Sequence, residues 1–155
     1  MRNLALPMAQ SPTASSGPSA TQAAFGAFRP SVFCVCYYVA DVERALAFYV
    51  GLLGMKEHLR IPVGNGVNEV VLGFPEAKGS GVILMWNTER TKPYTHGDSY
   101  NRLVLRVSDV DAATRVLQEA SVPVVTEPTD APGLRYSMVR DPDGYVVELL
   151  QLKRA

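Results

Sequence analysis

The chain is poor in the residues that staple a fold or mark a specialised surface. Its 155 residues include only two cysteines, Cys34 and Cys36, two histidines and one tryptophan. The 15 basic and 15 acidic residues cancel, and no basic run is clustered. A nucleic-acid or anionic-membrane partner is therefore not expected, because either needs concentrated positive potential. No apolar stretch approaches the roughly 20 residues needed to span a bilayer. The two thiols fall two apart in a predicted strand, which points both to one face yet holds them too far apart to bridge comfortably. Neighbouring thiols without partners fit a reducing compartment, so a cytoplasmic protein is expected.

What is present reads as one ordinary globular domain, 47% hydrophobic and 19% charged,. Residues 1–30 stand apart: Ala, Ser, Pro, Thr, Gly and Gln dominate, and only Arg2 and Arg29 carry charge. Leu4-Ala5-Leu6 is too short for a signal-peptide core, and Pro7 interrupts it,. A disordered extension is the expectation there.

From residue 31 onward the chain says nearly the same thing twice. Val39-Ala40-Asp41-Val42 recurs as Val107-Ser108-Asp109-Val110, each closing an apolar run and opening a predicted helix capped by its aspartate,. The spacing predicts a strand over 31–39, a helix over 42–53 ended by Gly54, and strands over 55–61, 67–74 and 81–86. Pro62 to Gly66 and Pro75 to Gly79 read as turns. A polar linker over 87–101 follows, then a strand over 102–107, a helix over 110–120 and strands over 124–127, 134–140 and 145–152. Asp141-Pro142-Asp143-Gly144 reads as a hairpin turn, so neither aspartate is assigned chemistry. The expected fold is α+β: one domain over 31–152 made of two βαβββ modules, 31–90 and 98–152, with helices on the outer face of a cupped open sheet.

Alternation sorts the expected faces. Val35, Tyr37, Val39, Ile83 and Met85 in one module, with Leu103, Leu105, Val107, Val147 and Leu149 in the other, are expected beneath the helices. The opposite face then carries Cys34, Cys36, Tyr38, Val82, Leu84 and Trp86, together with Arg102, Val104, Arg106, Val146, Glu148 and Leu150. Apolar walls with two arginines and one carboxylate suit a cup for a small molecule.

In this order and spacing, Asp41-Val42-Glu43-Arg44-Ala45-Leu46-Ala47-Phe48-Tyr49, Leu53-Gly54-Met55, Arg106-Val107-Ser108-Asp109-Val110 and Asp141-Pro142-Asp143-Gly144-Tyr145-Val146-Val147-Glu148-Leu149 resemble the vicinal oxygen chelate superfamily. That group includes glyoxalase I, extradiol dioxygenases and the fosfomycin- and bleomycin-resistance proteins. The likeness runs from about residue 32 to 152, and Tyr94 to Tyr100 looks most like the connector of bacterial glyoxalase I. The resemblance implies a homodimer and a metal held at four corners by histidine, glutamate, histidine and glutamate. Repeat arithmetic puts those corners at Cys34, Leu84, Arg102 and Glu148. Leucine has no donor and arginine stays protonated, so no divalent metal or other cofactor is expected; any metal would have to use Glu148 and Cys34.

Three functional readings stay open. The first is a glyoxalase-like enzyme with a degraded metal site, doing isomerase or lyase proton transfer on a small oxygenated anion. Glu148 would be its base, Arg102 its electrostatic stabiliser, and ordinary lactoylglutathione lyase activity is not expected. The second is a non-catalytic small-molecule binding or resistance protein using Cys34, Tyr38, Leu84, Trp86 and Arg106. The third is an unconventional metalloenzyme using Cys34 and Glu148. Arg102 and Glu148 are equally readable as a plain ion pair plugging the cup. His58 falls in the second strand and His96 in the linker, where it serves either as a surface residue or as a proton donor at the cup mouth.

Overall fold

The computed structural model describes residues 17, 19, 21–22, 26–28, 32–77 and 81–153. The chain divides into two units, Met1–Ser31 and Val32–Ala155. Most of the first unit, and with it most of the expected disordered extension, lies outside the described residues. Within that unit Ser19 and Gln22 cap each other: Ser19 N donates to Gln22 Oε1 at 2.7 Å and Gln22 N donates to Ser19 Oγ at 3.2 Å. This reciprocal pair is a capping box.

The second unit contains two four-stranded sheets. Strands β1 (Cys34–Tyr38), β2 (Lys56–Gly64), β3 (Val67–Gly73) and β4 (Gly81–Asn87) are ordered β1-β4-β3-β2. Strands β5 (Leu103–Arg106), β6 (Val124–Ala131), β7 (Leu134–Arg140) and β8 (Val146–Leu152) repeat the pattern as β5-β8-β7-β6. In each sheet the first strand runs parallel to the last, and the other pairings are antiparallel. The helices are α1 (Val42–Leu46) and α2 (Val110–Glu119). This is the βαβββ repeat expected from sequence, and no helix among the described residues is long and apolar enough to cross a membrane.

Both aspartate caps form. Asp41 accepts from Arg44 N at 3.0 Å and Asp109 accepts from Ala112 N at 2.9 Å, satisfying amide hydrogens that the first helical turn leaves unpaired,. The expected helix over 42–53 is not α-helical throughout. After Leu46 it widens into a π-helical segment, Ala47–Leu52, closed by Leu53 N donating to Phe48 O at 3.0 Å. Phe48 and Tyr49 are buried on this segment.

Two strands are longer than expected for one reason. β2 and β6 are sheet edges, where proline's missing N–H costs no ladder bond, so β2 continues through Pro62 and β6 through Pro128,. The β2–β3 turn shrinks to Asn65 and Gly66, with φ of 51° and 72°. Positive φ at both central residues is the tight-hairpin geometry that Asn-Gly favours.

The two modules share one core on their helix side. Tyr37, Val39, Phe48, Tyr49, Val82 and Leu84 of the first pack in a cluster that includes Leu117, Val139, Tyr145, Val147 and Leu149 of the second. Across the seam runs a buried polar chain: Tyr37 Oη donates to Tyr49 Oη at 2.6 Å, and Tyr49 Oη to Asp141 Oδ2 at 2.8 Å. Asp141 Oδ1 also accepts from Asp143 N and Tyr145 N, and Asp143 Oδ1 accepts from Ala40 N of the first module at 2.8 Å. The Asp141–Gly144 turn therefore clasps one module to the other.

Candidate small-molecule site

Strand register decides which residues face the open side. In the second sheet Val104 pairs with Glu148, and Arg106 with Leu150, so Val104, Arg106, Glu148 and Leu150 share one face, as expected. Their neighbours Leu103, Leu105, Val147 and Leu149 face α2. In the first sheet Cys36 pairs with Ile83 and Tyr38 with Met85, whereas Val35 pairs with Val82 and Tyr37 with Leu84. Paired residues point the same way, so the open face carries Cys34, Cys36, Tyr38, Ile83 and Met85. Val82 and Leu84 lie beneath the helix with Tyr37, 1% and 0% exposed.

This corrects the expected face assignment of β4. Leu84 is core, not a corner of the site. The residue equivalent to Glu148 is Ile83, since Cys36–Ile83 and Val104–Glu148 are corresponding pairs. Trp86 is also misplaced by the sequence reading. It pairs with Asn68 on the helix side, packs against the core, and carries the Arg60 guanidinium 5.7 Å from its ring centroid. Arg60 itself bonds Glu57 and Glu43, the latter on α1. Trp86 is thus withdrawn from the expected ligand set.

Arg102 and Glu148 do meet. Arg102 Nε donates to Glu148 Oε2, and Arg102 Nη1 donates to Asn101 Oδ1. The Glu148 side chain is 6% exposed and that of Arg102 is 39% exposed, so a nearly buried carboxylate is neutralised by a half-exposed guanidinium. Arg106 remains exposed on the same face beside Val104, which is 49% exposed.

On the first sheet Tyr38 is 37% exposed, but Tyr94 already stacks on it at 4.8 Å and 24°. Arg90 covers the Tyr94 ring at 4.2 Å. Leu59 pairs with Val71 and Ile61 with Glu69, extending the open face along β2; both apolar side chains are exposed. Cys34 and Cys36 lie on this face as free thiols. Burial pushes both thiols up, and the negative charge of Glu69 adds to the effect at Cys36,.

His58 and Cys34 line one small cavity, a proximity the alternation pattern did not reveal because β2 is irregular between Glu57 and Leu59. His96 stacks on Tyr145 at 4.0 Å and 20°, above Gly144, where a Cβ would come within 3.4 Å of its ring. Asp141 and Asp143, read from sequence only as turn residues, are the module clasp. Burial pushes the Asp141 carboxyl up, although Tyr49 and the turn amides oppose the shift by donating to it,.

Residues 31–149 match the model of the glyoxalase/bleomycin resistance protein/dioxygenase superfamily. The chain belongs to that superfamily. It is 30% identical over 123 residues to the lactoylglutathione lyase of Salmonella typhimurium, covering 76% of this chain and 89% of that one. The glyoxalase I of Leishmania major, described as trypanothione-dependent, superposes with a TM-score of 0.68 at 30% identity, over 79% of this chain and 86% of that one. TnmS3, an antibiotic binding protein from Streptomyces sp. CB03234, superposes with a TM-score of 0.66 at 31% identity, over 80% and 97%.

The four-ligand metal centre of the glyoxalase I pattern does not fit these corners. Ile83 offers no donor, Arg102 offers only N–H groups, and its guanidinium occupies an oxygen of Glu148,. Cys34 and the second oxygen of Glu148 are the donors these corners leave. Among the described residues no three His, Cys, Asp or Glu side chains converge as a metal set.

Proposed function

We propose that this chain binds a small molecule on the open faces of its sheets, as a binding protein and not as a metal-dependent lyase. The observation that carries this reading is the Arg102–Glu148 ion pair, with Ile83 at the fourth corner. It joins the site's only surviving carboxylate to a fixed cation. The carboxylate that would abstract a proton is already engaged by Arg102 Nε, which works against the proton-abstraction reading,. The exposed Arg106 favours an anionic group, and the apolar surface of Leu59, Ile61 and Val104 favours a flat hydrophobic body,. The likeness to TnmS3 supports the same class of function.

The proposal includes a homodimer in which a second copy covers these exposed apolar faces, each open face contributing half of a cup. It also includes independence from divalent cofactors. The test is a panel of anionic aromatic compounds titrated calorimetrically into the protein, with and without a chelator. We expect saturable binding by at least one compound, unaffected by chelation and weakened at least tenfold by Arg106→Ala. Metal-dependent conversion of the methylglyoxal–glutathione adduct would overturn the proposal.

A second reading, proton transfer by Glu148, draws support from its burial on the open face and from the likeness to lactoylglutathione lyases. It requires the ligand to displace Arg102. Glu148→Gln separates the two: turnover is lost under the second reading, while affinity is retained under the first.

A further inference from the structure

We propose that the thiols of Cys34 and Cys36 form a binding site for a soft, two-coordinate metal ion, monovalent copper being the fitting chemistry. The proposal does not rest on the reading of the molecule's function, since it uses the β1 thiols and not the Arg102–Glu148 pair, although both thiols lie on the same open face. Both cysteines are free, and both lie on the open face of an edge strand, Cys36 exposed and Cys34 half-buried.

Room for an ion lies beside Cys34. Its cross-strand neighbours in the same row are Gly81 and then Gly73, which contribute no side chain. A side chain at Gly81 is excluded, because its Cβ would fall 2.1 Å from Leu72 O. A cavity of about 60 Å³ opens on the Cys34 side of the pair, walled by Phe33, His58, Val71, Leu72 and Ala77 beside the two glycines; Cys36 lies outside it.

Strand geometry then discriminates between what two such thiols can do. Residues i and i+2 of a strand are separated by about 6.6 Å. A disulfide needs sulfurs about 2.05 Å apart, which this rigid spacing opposes. A thiolate–metal bond of about 2.3 Å makes a linear S–metal–S unit about 4.6 Å long. A modest lean of each Sγ toward the other reaches that span. The pair is too wide for a disulfide and suited to an ion between the sulfurs.

Ligand chemistry points to copper in its lower oxidation state. His58 lines the cavity beside Cys34, but among the described residues no three His, Cys, Asp or Glu side chains converge, so tetrahedral zinc lacks its set,. Soft sulfur donors select monovalent copper, which is satisfied by two thiolates. Met85, paired with Tyr38 one row on, places a thioether on the same face, and Glu69 continues that row with a negative charge that attracts a cation. Each thiol surrenders its proton on binding, so one Cu⁺ and two thiols give one bis-thiolate complex and two released protons. Copper remains monovalent throughout.

The experiment is an anaerobic titration of the reduced full-length chain with copper(I) held by bicinchoninate. We expect one equivalent to transfer to the protein, with a thiolate-to-copper absorption in the near ultraviolet and protection of both cysteines from iodoacetamide. Cys34→Ser and Cys36→Ser should each weaken retention at least tenfold while leaving the circular dichroism spectrum unchanged. Alkylation protection in the unmutated chain keeps the test decisive if either variant fails to fold. Failure to take copper from the competitor would overturn the proposal. So would equal retention by the Cys34→Ser/Cys36→Ser double variant, which would point to other donors such as Met1 and Met8.

Discussion

Tyr49→Phe should be among the most damaging conservative substitutions in this molecule. The Tyr49 hydroxyl is fully buried; it accepts from Tyr37 Oη at 2.6 Å and donates to Asp141 Oδ2 at 2.8 Å. Deleting it removes a hydrogen bond to a carboxylate, worth roughly 1.5–3 kcal/mol, and leaves the buried Tyr37 donor unpaired at a further cost of about 1 kcal/mol. The expected loss is about 3 kcal/mol, a large share of the 5–15 kcal/mol typical of a domain. With a urea dependence of about 2 kcal/mol per molar, the unfolding midpoint should fall by about 1.5 M at unchanged slope. Tyr37→Phe removes only a donor, leaves Tyr49 bonded to Asp141, and should cost about 1 kcal/mol. The assay is urea unfolding followed by circular dichroism, for both variants and the double variant. The double variant should be less damaging than the sum, because the two hydroxyls belong to one chain. A Tyr49→Phe midpoint within experimental scatter of the parent would refute the clasp as the element that joins the modules.

Further outcomes follow from the same contacts. Burial raises the Asp141 pKa, so its contribution to stability is fully present below the ordinary aspartate value and is lost as pH rises through the raised folded value,. The stability of the parent relative to Asp141→Asn should therefore decline with rising pH across that window; an increase would contradict the burial argument. Trp86 lies on the helix side under Arg60, so a ligand that requires Arg106 should leave tryptophan fluorescence unchanged, and strong quenching would return Trp86 to the site. Restoring the four ligands as Cys34→His, Ile83→Glu and Arg102→His, with Glu148 kept, should create nickel affinity measurable by calorimetry. The same set with Leu84→Glu in place of Ile83→Glu should instead bury a charge at a 0% exposed position and lower the melting temperature,.

Most of the architecture was legible before the structure. The two Asp caps and the alternating strands of the repeat are local signals, and both modules formed around them. The second module's open face was legible because Arg102 and Arg106, four residues apart, and Glu148 interrupt its apolar runs at positions that alternation assigns to one face. β4 gave no such signal: Val82-Ile83-Leu84-Met85-Trp86 is apolar at every position, so periodicity cannot orient it,. Only its pairing with β1 shows that Ile83, not Leu84, faces outward.

Other features depend on partners that local sequence does not reveal. Asp141 looked like one member of a turn because Tyr49, which donates to it, lies in the other module. The widening of α1 into a π-helical segment has the same character. It carries Tyr49 into the seam, and no residue type in Ala47–Leu52 announces it. Pro62 misled for a simpler reason: it reads as a turn residue until β2 is known to be an edge, and the strand expected over 124–127 runs on through Pro128 on the other edge,.

The measurement that bears most directly on the central claim is turnover of the methylglyoxal–glutathione adduct by the purified full chain, after equilibration with nickel, zinc, manganese or iron(II), alongside metal analysis of the same samples. We predict no metal-dependent turnover and no stoichiometric nickel, zinc, manganese or iron, because Ile83 and the Arg102–Glu148 pair deny the ion its ligands. Robust turnover with near-stoichiometric metal, both lost in Glu148→Ala, would contradict that claim and mean that Arg102 releases the carboxylate.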